Sequence, residues 1–222
     1  MKKPILILLL SICTITNYSQ ETGTFTDTRD GKEYKYVLIG KQIWMAEDLA
    51  YRDSSIFVYK NKTSFGNNNI YLYNIDQAYD ACPDGWYLPE LNDWKELINY
   101  LGQNAGGKLK SITGWISPNK GATNEVGFNA MPNGMRIASG RVKDIGKNAF
   151  FWTNTWGKYS LSSHRKVDVY NVAGYYSTED EEISSESTIV YRIELSSKKD
   201  KVKISNKSYF NKREYSIRCV SH

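Results

Sequence analysis

The sequence predicts an α+β domain, in which one or two helices pack against a mainly antiparallel sheet. One segment, residues 91–101, carries apolar side chains at helical intervals of three and four: Leu91, Trp94, Leu97, Ile98 and Leu101. The chain beyond it shows short runs rich in β-branched and aromatic residues, separated by turn residues. No second long apolar helical face follows, which favours a sheet with few helices over a helical bundle.

The first elements can be assigned in order along the chain. Residues 34–39 and 42–45 are rich in strand-forming residues and flank Gly40, which predicts a hairpin. Residues 76–81 predict a short helix. The clearest helix ends at Gly102, because glycine readily adopts the left-handed conformation that stops a helix.

Later in the chain, strand-type residues predict strands at 128–131, 149–153, 189–195, 201–205 and 215–220. A turn is predicted at Asn133 and Gly134. Low-complexity linkers and clear internal repeats are absent from the sequence. These features predict one compact domain.

The first 19 residues have the composition of a signal peptide. Lys2 and Lys3 precede an apolar run at residues 5–12, and the following residues are polar. The run is far shorter than the roughly 20 residues needed to span a bilayer. We therefore expect a removable signal at 1–19, a mature domain at 20–222 and no transmembrane segment in the mature chain.

An alternative is a lipoprotein signal, in which Cys13 carries the lipid and tethers the protein to the outer membrane. The residue before such a cysteine is normally small, whereas this chain has Ile12. The sequence therefore favours a secreted or cell-surface protein without this lipid.

Charge disfavours a nucleic-acid partner. Removing Lys2 and Lys3 leaves 27 basic residues against 24 acidic residues, which is a mild excess. Export makes such a partner less favourable still.

The mature chain retains two cysteines, Cys82 and Cys219. An even number in an exported protein favours a disulfide, because the compartment is oxidising. Two buried free thiols are the alternative.

Histidine-based catalytic sites have little support. The two histidines are His164, in a polar stretch, and the final residue His222. The sequence lacks a nucleophile elbow and a phosphate-binding glycine loop. We therefore expect a protein that is not an enzyme and that has no metal site and no cofactor, although distant carboxylates could meet in the fold.

Two charged clusters have ordinary explanations. The acidic residues at 179–182 and Glu186 lack the spacing of a calcium loop and predict a solvated surface loop. The second cluster predicts a strand with one wet face, rather than a site for an anionic polymer; it consists of Lys198, Lys199, Lys201, Lys203 and Lys207.

Aromatic residues are the best candidates for ligand contacts. Five tryptophans lie within predicted elements and are expected to be buried: Trp44, Trp86, Trp94, Trp115 and Trp152. Five further aromatic residues lie in a polar, loop-like region. They form the predicted ligand-binding set: Trp156, Tyr159, Tyr170, Tyr175 and Tyr176.

Several motifs carry a family resemblance. The first two are Gly40-Lys-Gln-Ile-Trp-Met-Ala-Glu-Asp-Leu49 and Ala81-Cys-Pro-Asp-Gly-Trp-Tyr-Leu-Pro89. The others are Gly106-Gly-Lys-Leu109, Gly121-Ala-Thr-Asn-Glu-Val-Gly-Phe128, Phe151-Trp-Thr153 and Tyr215-Ser-Ile-Arg-Cys-Val220. In this order they resemble the Fibrobacter succinogenes major paralogous domain and cover nearly all of the mature chain.

The resemblance implies an exported or surface-attached bacterial protein, often of Bacteroidetes or Fibrobacteres, with a C-type-lectin-like fold. It also places Cys82 and Cys219 at the two cysteine positions of the family. It implies no particular activity.

The chain departs from these patterns at two places. Residues 158–188 form a longer polar segment than the family usually shows, which makes them a candidate contact loop. Met131-Pro132-Asn133 and Trp152-Thr153-Asn154 stand where calcium-dependent lectins carry carboxylates. We therefore expect no sugar site of the calcium type.

These observations predict a noncatalytic surface or secreted module that binds a glycan or a protein through Trp156 and the 158–188 loop. One alternative is an oxidase related to formylglycine-generating enzymes, which would use a cysteine pair to hold copper. Another is a purely structural component of the cell envelope.

Overall fold

The computed structural model describes residues 20–52, 54–63, 66–170, 176–209 and 212–222. Within these ranges, side chains are described except at 62–63, 66–68, 159–170 and 176–186. The described residues form antiparallel sheets and three short helices, which confirms the predicted α+β class. No helix among them is long and apolar enough to cross a membrane.

The strands belong to four antiparallel groups. The largest sheet has the order β1-β2-β3-β11, with strands Thr22–Thr26, Glu33–Ile39, Gln42–Met45 and Val220–Ser221. The second has the order β10-β9-β8, with strands Lys203–Ser208, Tyr176–Ser196 and Asn148–Tyr170. Two hairpins complete the set: β4 (Phe57–Thr63) with β5 (Gly66–Leu72), and β6 (Met135–Arg136) with β7 (Val142–Lys143).

The predicted hairpin and the two predicted helices are confirmed. β2 and β3 pair on either side of Gly40, and α1 spans Ile75–Tyr79. α2 spans Leu91–Leu101, buries Trp94, Leu97 and Leu101, and ends at Gly102, whose φ is 66°.

A third helix, α3 at Ala105–Leu109, was not predicted, because its sequence contains two adjacent glycines. Tertiary packing explains them. A Cβ on Gly107 would lie 2.1 Å from the carbonyl oxygen of Gly121, and one on Gly106 would lie 2.7 Å from the backbone of Lys201. The helix therefore forms where neighbouring backbone leaves no room for side chains.

The predictions for 128–131 and 215–220 were wrong in extent. Residues 128–131 form only an isolated bridge, Lys110 with Ala130, and most of 215–220 precedes the short β11. The carbonyls of Tyr215, Ile217 and Cys219 accept hydrogen bonds from three separate segments. This segment therefore runs through the core instead of following one partner strand.

The predicted loop at 158–188 is also wrong, because its described residues continue strands β8 and β9. Lys158 lies opposite Thr188, and the antiparallel register continues to Tyr170 and Tyr176. The acidic stretch at 179–182 therefore belongs to a strand and not to a loop. The register places Arg165 opposite Glu181.

Two apolar clusters form the core. One centres on the β2–β3 hairpin and α2, and its aromatic members are Trp44, Trp94, Trp115, Phe128 and Phe151. The other lies beside β8 and α1, with Trp86 packed against its edge, and contains Tyr34, Tyr73, Phe150, Trp152 and Tyr215. The expected burial of the five structural tryptophans is thus confirmed, with Trp86 only partly covered.

A buried lysine joins three segments beside these clusters. The Nζ of Lys110 donates hydrogen bonds to the carbonyl oxygens of Lys120, Ser196 and Lys199, at 2.8, 2.9 and 2.9 Å. Burial lowers the pKa of Lys110 to about 8. Through these three bonds, Lys110, which follows α3, holds the segment before β10 in place.

Candidate functional site

A cleft lies between the start of α1 and the end of β10, and we name it the α1–β10 cleft. It encloses about 460 Å³. Its lining combines apolar and charged side chains: Asn74, Ile75, Asp76, Trp152, Lys207, Ser208, Tyr209, Lys212, Arg213 and Glu214. An apolar pocket with a few convergent polar groups is the usual form of a ligand site.

Tyr209, which lines this cleft, contacts a second aromatic ring, that of Trp156, which is not itself a lining residue. Trp156 is 40% exposed, and its ring centroid lies 5.3 Å from that of Tyr209. The Tyr209 hydroxyl donates a hydrogen bond of 2.7 Å to Oδ1 of Asp76. The cleft therefore connects directly to an exposed aromatic surface whose second ring is held by α1.

An irregularity in β8 sets the position of Trp156. Trp152 pairs with Arg192 and Trp156 pairs with Val190. Between these two pairs, β8 advances by four residues while β9 advances by two. The extra residues bond elsewhere: Thr155 Oγ1 accepts from the Leu91 N–H at 2.8 Å. Bulges of this kind redirect side chains near binding sites.

The inner wall of the cleft is rigid. Trp152 is buried, and its Nε1 donates to the carbonyl oxygen of Tyr73 at 2.8 Å. Its ring lies 4.4 Å from that of Tyr215, measured between centroids. Arg192 donates a hydrogen bond to the Tyr215 hydroxyl and lies over the rings of Phe150 and Tyr215. The wall is thus held by hydrogen bonds as well as by packing.

Basic side chains surround the cleft. Burial lowers the pKa of Lys207, and the nearby charges of Arg192, Arg213 and Lys203 lower it further. Among the described residues, neither Lys207 nor Lys212 forms an ion pair. Glu194 partly opposes these charges by raising the pKa of Lys207.

Glu214 is a partly buried acid of the cleft. Its Oε1 lies 2.5 Å from Nη1 of Arg136, while its Oε2 is buried and accepts no hydrogen bond from the described residues. Burial raises the pKa of Glu214, and the Arg136 charge opposes that rise. The Oε2 atom is an acceptor suited to a hydroxyl or an N–H donor.

One member of the predicted binding set, Trp156, contacts a residue that lines the cleft, Tyr209. Tyr159 and Tyr170 lie in β8 and Tyr176 begins β9, in the part of the hairpin whose side chains are not described. Tyr175 lies outside the described residues.

Sequence reasoning missed most of the cleft: Asp76, Lys207, Tyr209, Lys212, Arg213 and Glu214. Lys207 was assigned to the wet face of a strand, and the prediction of a dry face was wrong at Ile204, which is exposed. No local pattern identifies Tyr209, because its role depends on α1 more than a hundred residues earlier.

The predicted disulfide is confirmed. Cys82 and Cys219 are bonded, with their Cα atoms 5.9 Å apart and 137 positions between them in the sequence. Both cysteines among the described residues are therefore engaged in this bond.

The residues compared with calcium-lectin motifs make internal contacts. Asn133 Nδ2 donates to Asp48 Oδ2 at 2.7 Å, and Thr153 Oγ1 donates to the carbonyl of Tyr191 at 2.9 Å. Within the described ranges, no three or more His, Cys, Asp or Glu residues are grouped so that they could hold a metal ion.

Comparison with known proteins identifies a family. Neither a curated protein nor a solved structure matches the chain. The sequence model of the Fibrobacter succinogenes major domain, however, matches residues 37–221, which include α2, the disulfide-bonded Cys82 and Cys219, and every residue that lines the α1–β10 cleft. The chain therefore belongs to the Fibrobacter succinogenes major domain family.

Proposed function

We propose that this protein is an exported, noncatalytic module that binds a glycan in the α1–β10 cleft, with Trp156 and Tyr209 as its aromatic platform. The observation that carries the proposal is the exposed Trp156 ring beside Tyr209 at the mouth of the cleft. Aromatic faces stack well on the apolar C–H faces of sugar rings, and a rigid ring loses little conformational entropy on binding.

Polar groups of the cleft supply the hydrogen bonds that a sugar needs. Glu214 Oε2 can accept from a sugar hydroxyl, Lys207 can donate to one, and Asp76 lies beside the aromatic platform. An acceptor that is buried without a donor is costly, so a hydroxyl that reaches it adds affinity.

The disulfide supports a noncatalytic role and export. An oxidase of the formylglycine-generating type would hold copper with two cysteines, whereas Cys82 and Cys219 are bonded to each other. A structural disulfide is also typical of proteins that have left the cytoplasm. Residues 1–19, where we place the signal peptide and the alternative lipid site Cys13, lie outside the described residues.

We also propose that the domain has a C-type-lectin-like fold, as the family resemblance implies. The antiparallel sheets, helix α2 and the disulfide that reaches the C-terminal segment support this assignment.

The proposal can be tested by screening the oxidised protein on a glycan array and measuring the affinity of each hit by calorimetry. Trp156→Ala should weaken binding at least tenfold, which corresponds to about 1.4 kcal/mol. Tyr100→Ala is the matched control, because Tyr100 is 66% exposed on α2 and does not line this cleft. The glycan affinity of the Tyr100→Ala protein should equal that of the native protein.

Three outcomes would count against the proposal. The first is that no glycan on the array binds. The second is that the Trp156→Ala protein binds as tightly as the native protein. The third is that no glycan binds but a protein partner does, and that this binding requires Trp156.

A further inference from the structure

We propose that the glycan is acidic and that its carboxylate or sulfate group binds Lys207 and Lys212 while a neighbouring sugar ring stacks on Trp156. This inference rests on the proposed function and specifies the chemical class of the ligand.

The sheet register aligns the platform with the basic groups. Val190 of β9 is the partner of Trp156 on β8 and also of Lys207 on β10. Directly opposed residues of a sheet point to the same face, so Trp156 and Lys207 share one face. Two strand spacings separate them by about 10 Å, a span that suits a short oligosaccharide lying across the sheet.

Farther along the same face, one carboxylate is already shared by two cations. Glu194 Oε2 lies 3.3 Å from Lys203 Nζ and 3.6 Å from Arg192 Nη2. Lys207, two pleat repeats further along β10, has no such partner among the described residues. An anion at Lys207 would therefore not have to displace an existing carboxylate.

Charges in the cleft favour an anion. Three cations line it, Lys207, Lys212 and Arg213, against two carboxylates. Of these carboxylates, Glu214 is paired with Arg136 and Asp76 accepts the Tyr209 hydroxyl. Burial is the main cause of the lowered pKa of Lys207, and the charges of Arg192, Arg213 and Lys203 add a repulsion that Glu194 partly offsets. A bound anion would relieve that repulsion.

The test compares polygalacturonate, its fully methyl-esterified form and a sulfated polysaccharide, with the oxidised full-length protein. Esterification removes the charge and keeps the sugar rings, so we expect at least tenfold weaker binding of the ester. Binding of the acidic polymer should also weaken as salt is raised, because exposed charges are screened. Binding of only the sulfated polymer would support the inference with sulfate as the anionic group.

Charge variants locate the contact. Lys207→Gln and Lys212→Gln should each weaken binding of the acidic polymer several-fold, while Lys207→Arg should retain it. The matched control is Lys203→Gln, which lies on the same strand and is already paired with Glu194. A thermal melt of each variant verifies that it is folded.

The outcomes separate the two proposals. If the ester binds as tightly as the acid, or if Lys207→Gln has no effect while Trp156→Ala abolishes binding, the ligand is a neutral glycan and only the acidic inference fails. If none of these polymers and no glycan on the array binds, both proposals fail.

Discussion

The guanidinium of Arg218 donates two hydrogen bonds to the carboxylate of Asp48, which lies 170 residues earlier in the sequence. Arg218 is fully buried, and it also donates to the carbonyl oxygens of Met45 and Phe128. A buried charge is tolerated only when it is paired and hydrogen-bonded. This contact therefore joins the C-terminal segment to the β3 region. The buried charge of Arg218 is compensated by the carboxylate of Asp48.

Replacement of that carboxylate should destabilise the fold strongly. Asp48→Asn leaves the Arg218 guanidinium buried without a counter-charge, so we expect the free energy of unfolding to fall by about 3–5 kcal/mol. Urea denaturation followed by tryptophan fluorescence measures the change. The control is Glu47→Gln, at an exposed pair 3.9 Å from Lys32, which should cost less than about 1 kcal/mol. Equal effects of the two substitutions would contradict this explanation.

Loss of the disulfide should lower stability without a change of fold. The bond closes a loop of 137 positions, and removal of a native disulfide typically costs about 2–5 kcal/mol. We expect urea denaturation of the Cys82→Ser, Cys219→Ser double variant to show this loss of unfolding free energy. Reduction of the native protein should lower its unfolding free energy by the same amount. The disulfide would be disproved if two thiols of the native protein reacted with a thiol reagent before any reductant was added.

Acid stability should depend on Asp27. This buried carboxylate accepts hydrogen bonds from Nε and Nη2 of Arg29 at 2.9 and 2.7 Å, and the contacts with Arg29 hold the pKa of Asp27 below its usual value. Between the two pKa values, the unfolded chain binds more protons at this residue than the folded protein does. The stabilisation is therefore present above the usual aspartate pKa of about 4 and is lost as the pH falls through the folded value.

The measurement compares the native protein with Asp27→Asn in urea from pH 7 to pH 2. The free-energy difference between them should be constant above pH 5 and should shrink below about pH 4. A difference that stays constant over the whole range would show that the Asp27 charge does not contribute.

A shortened β8–β9 hairpin should retain ligand binding. Lys158 and Thr188 are register partners, so an Asn-Gly turn can replace residues 159–187. Trp156 and every residue that lines the α1–β10 cleft remain in this variant. We expect glycan affinity within about threefold of the native value, measured by calorimetry under the conditions of the array hits. Loss of binding would instead assign the contact to the removed segment, which contains Tyr159, Tyr170, Tyr175 and Tyr176.

Helix α2 and the β2–β3 hairpin were predictable because their signals are local. The spacing of Trp94, Leu97 and Leu101 and the stop at Gly102 depend on neighbours within a few positions. Helix α3 was not predictable, since its glycines are accommodated by backbone from the segments around Gly121 and Lys201. The pairing of residues 158–170 with residues 176–188 was missed because their polar composition resembles that of a loop.

By itself the sequence determined the α+β class, the principal helix, the cysteine pair, the family and Trp156 as an aromatic candidate. Each of these follows from local periodicity, residue type or motif order along the chain. Only the tertiary structure decided where Trp156 lies. Its platform partner Tyr209, the acid Glu214 and the base Lys207 belong to later segments, which the register of β8, β9 and β10 brings together. The physical reason is that a binding site is made of through-space contacts, and these depend on strand register and packing rather than on the spacing of residues in the sequence.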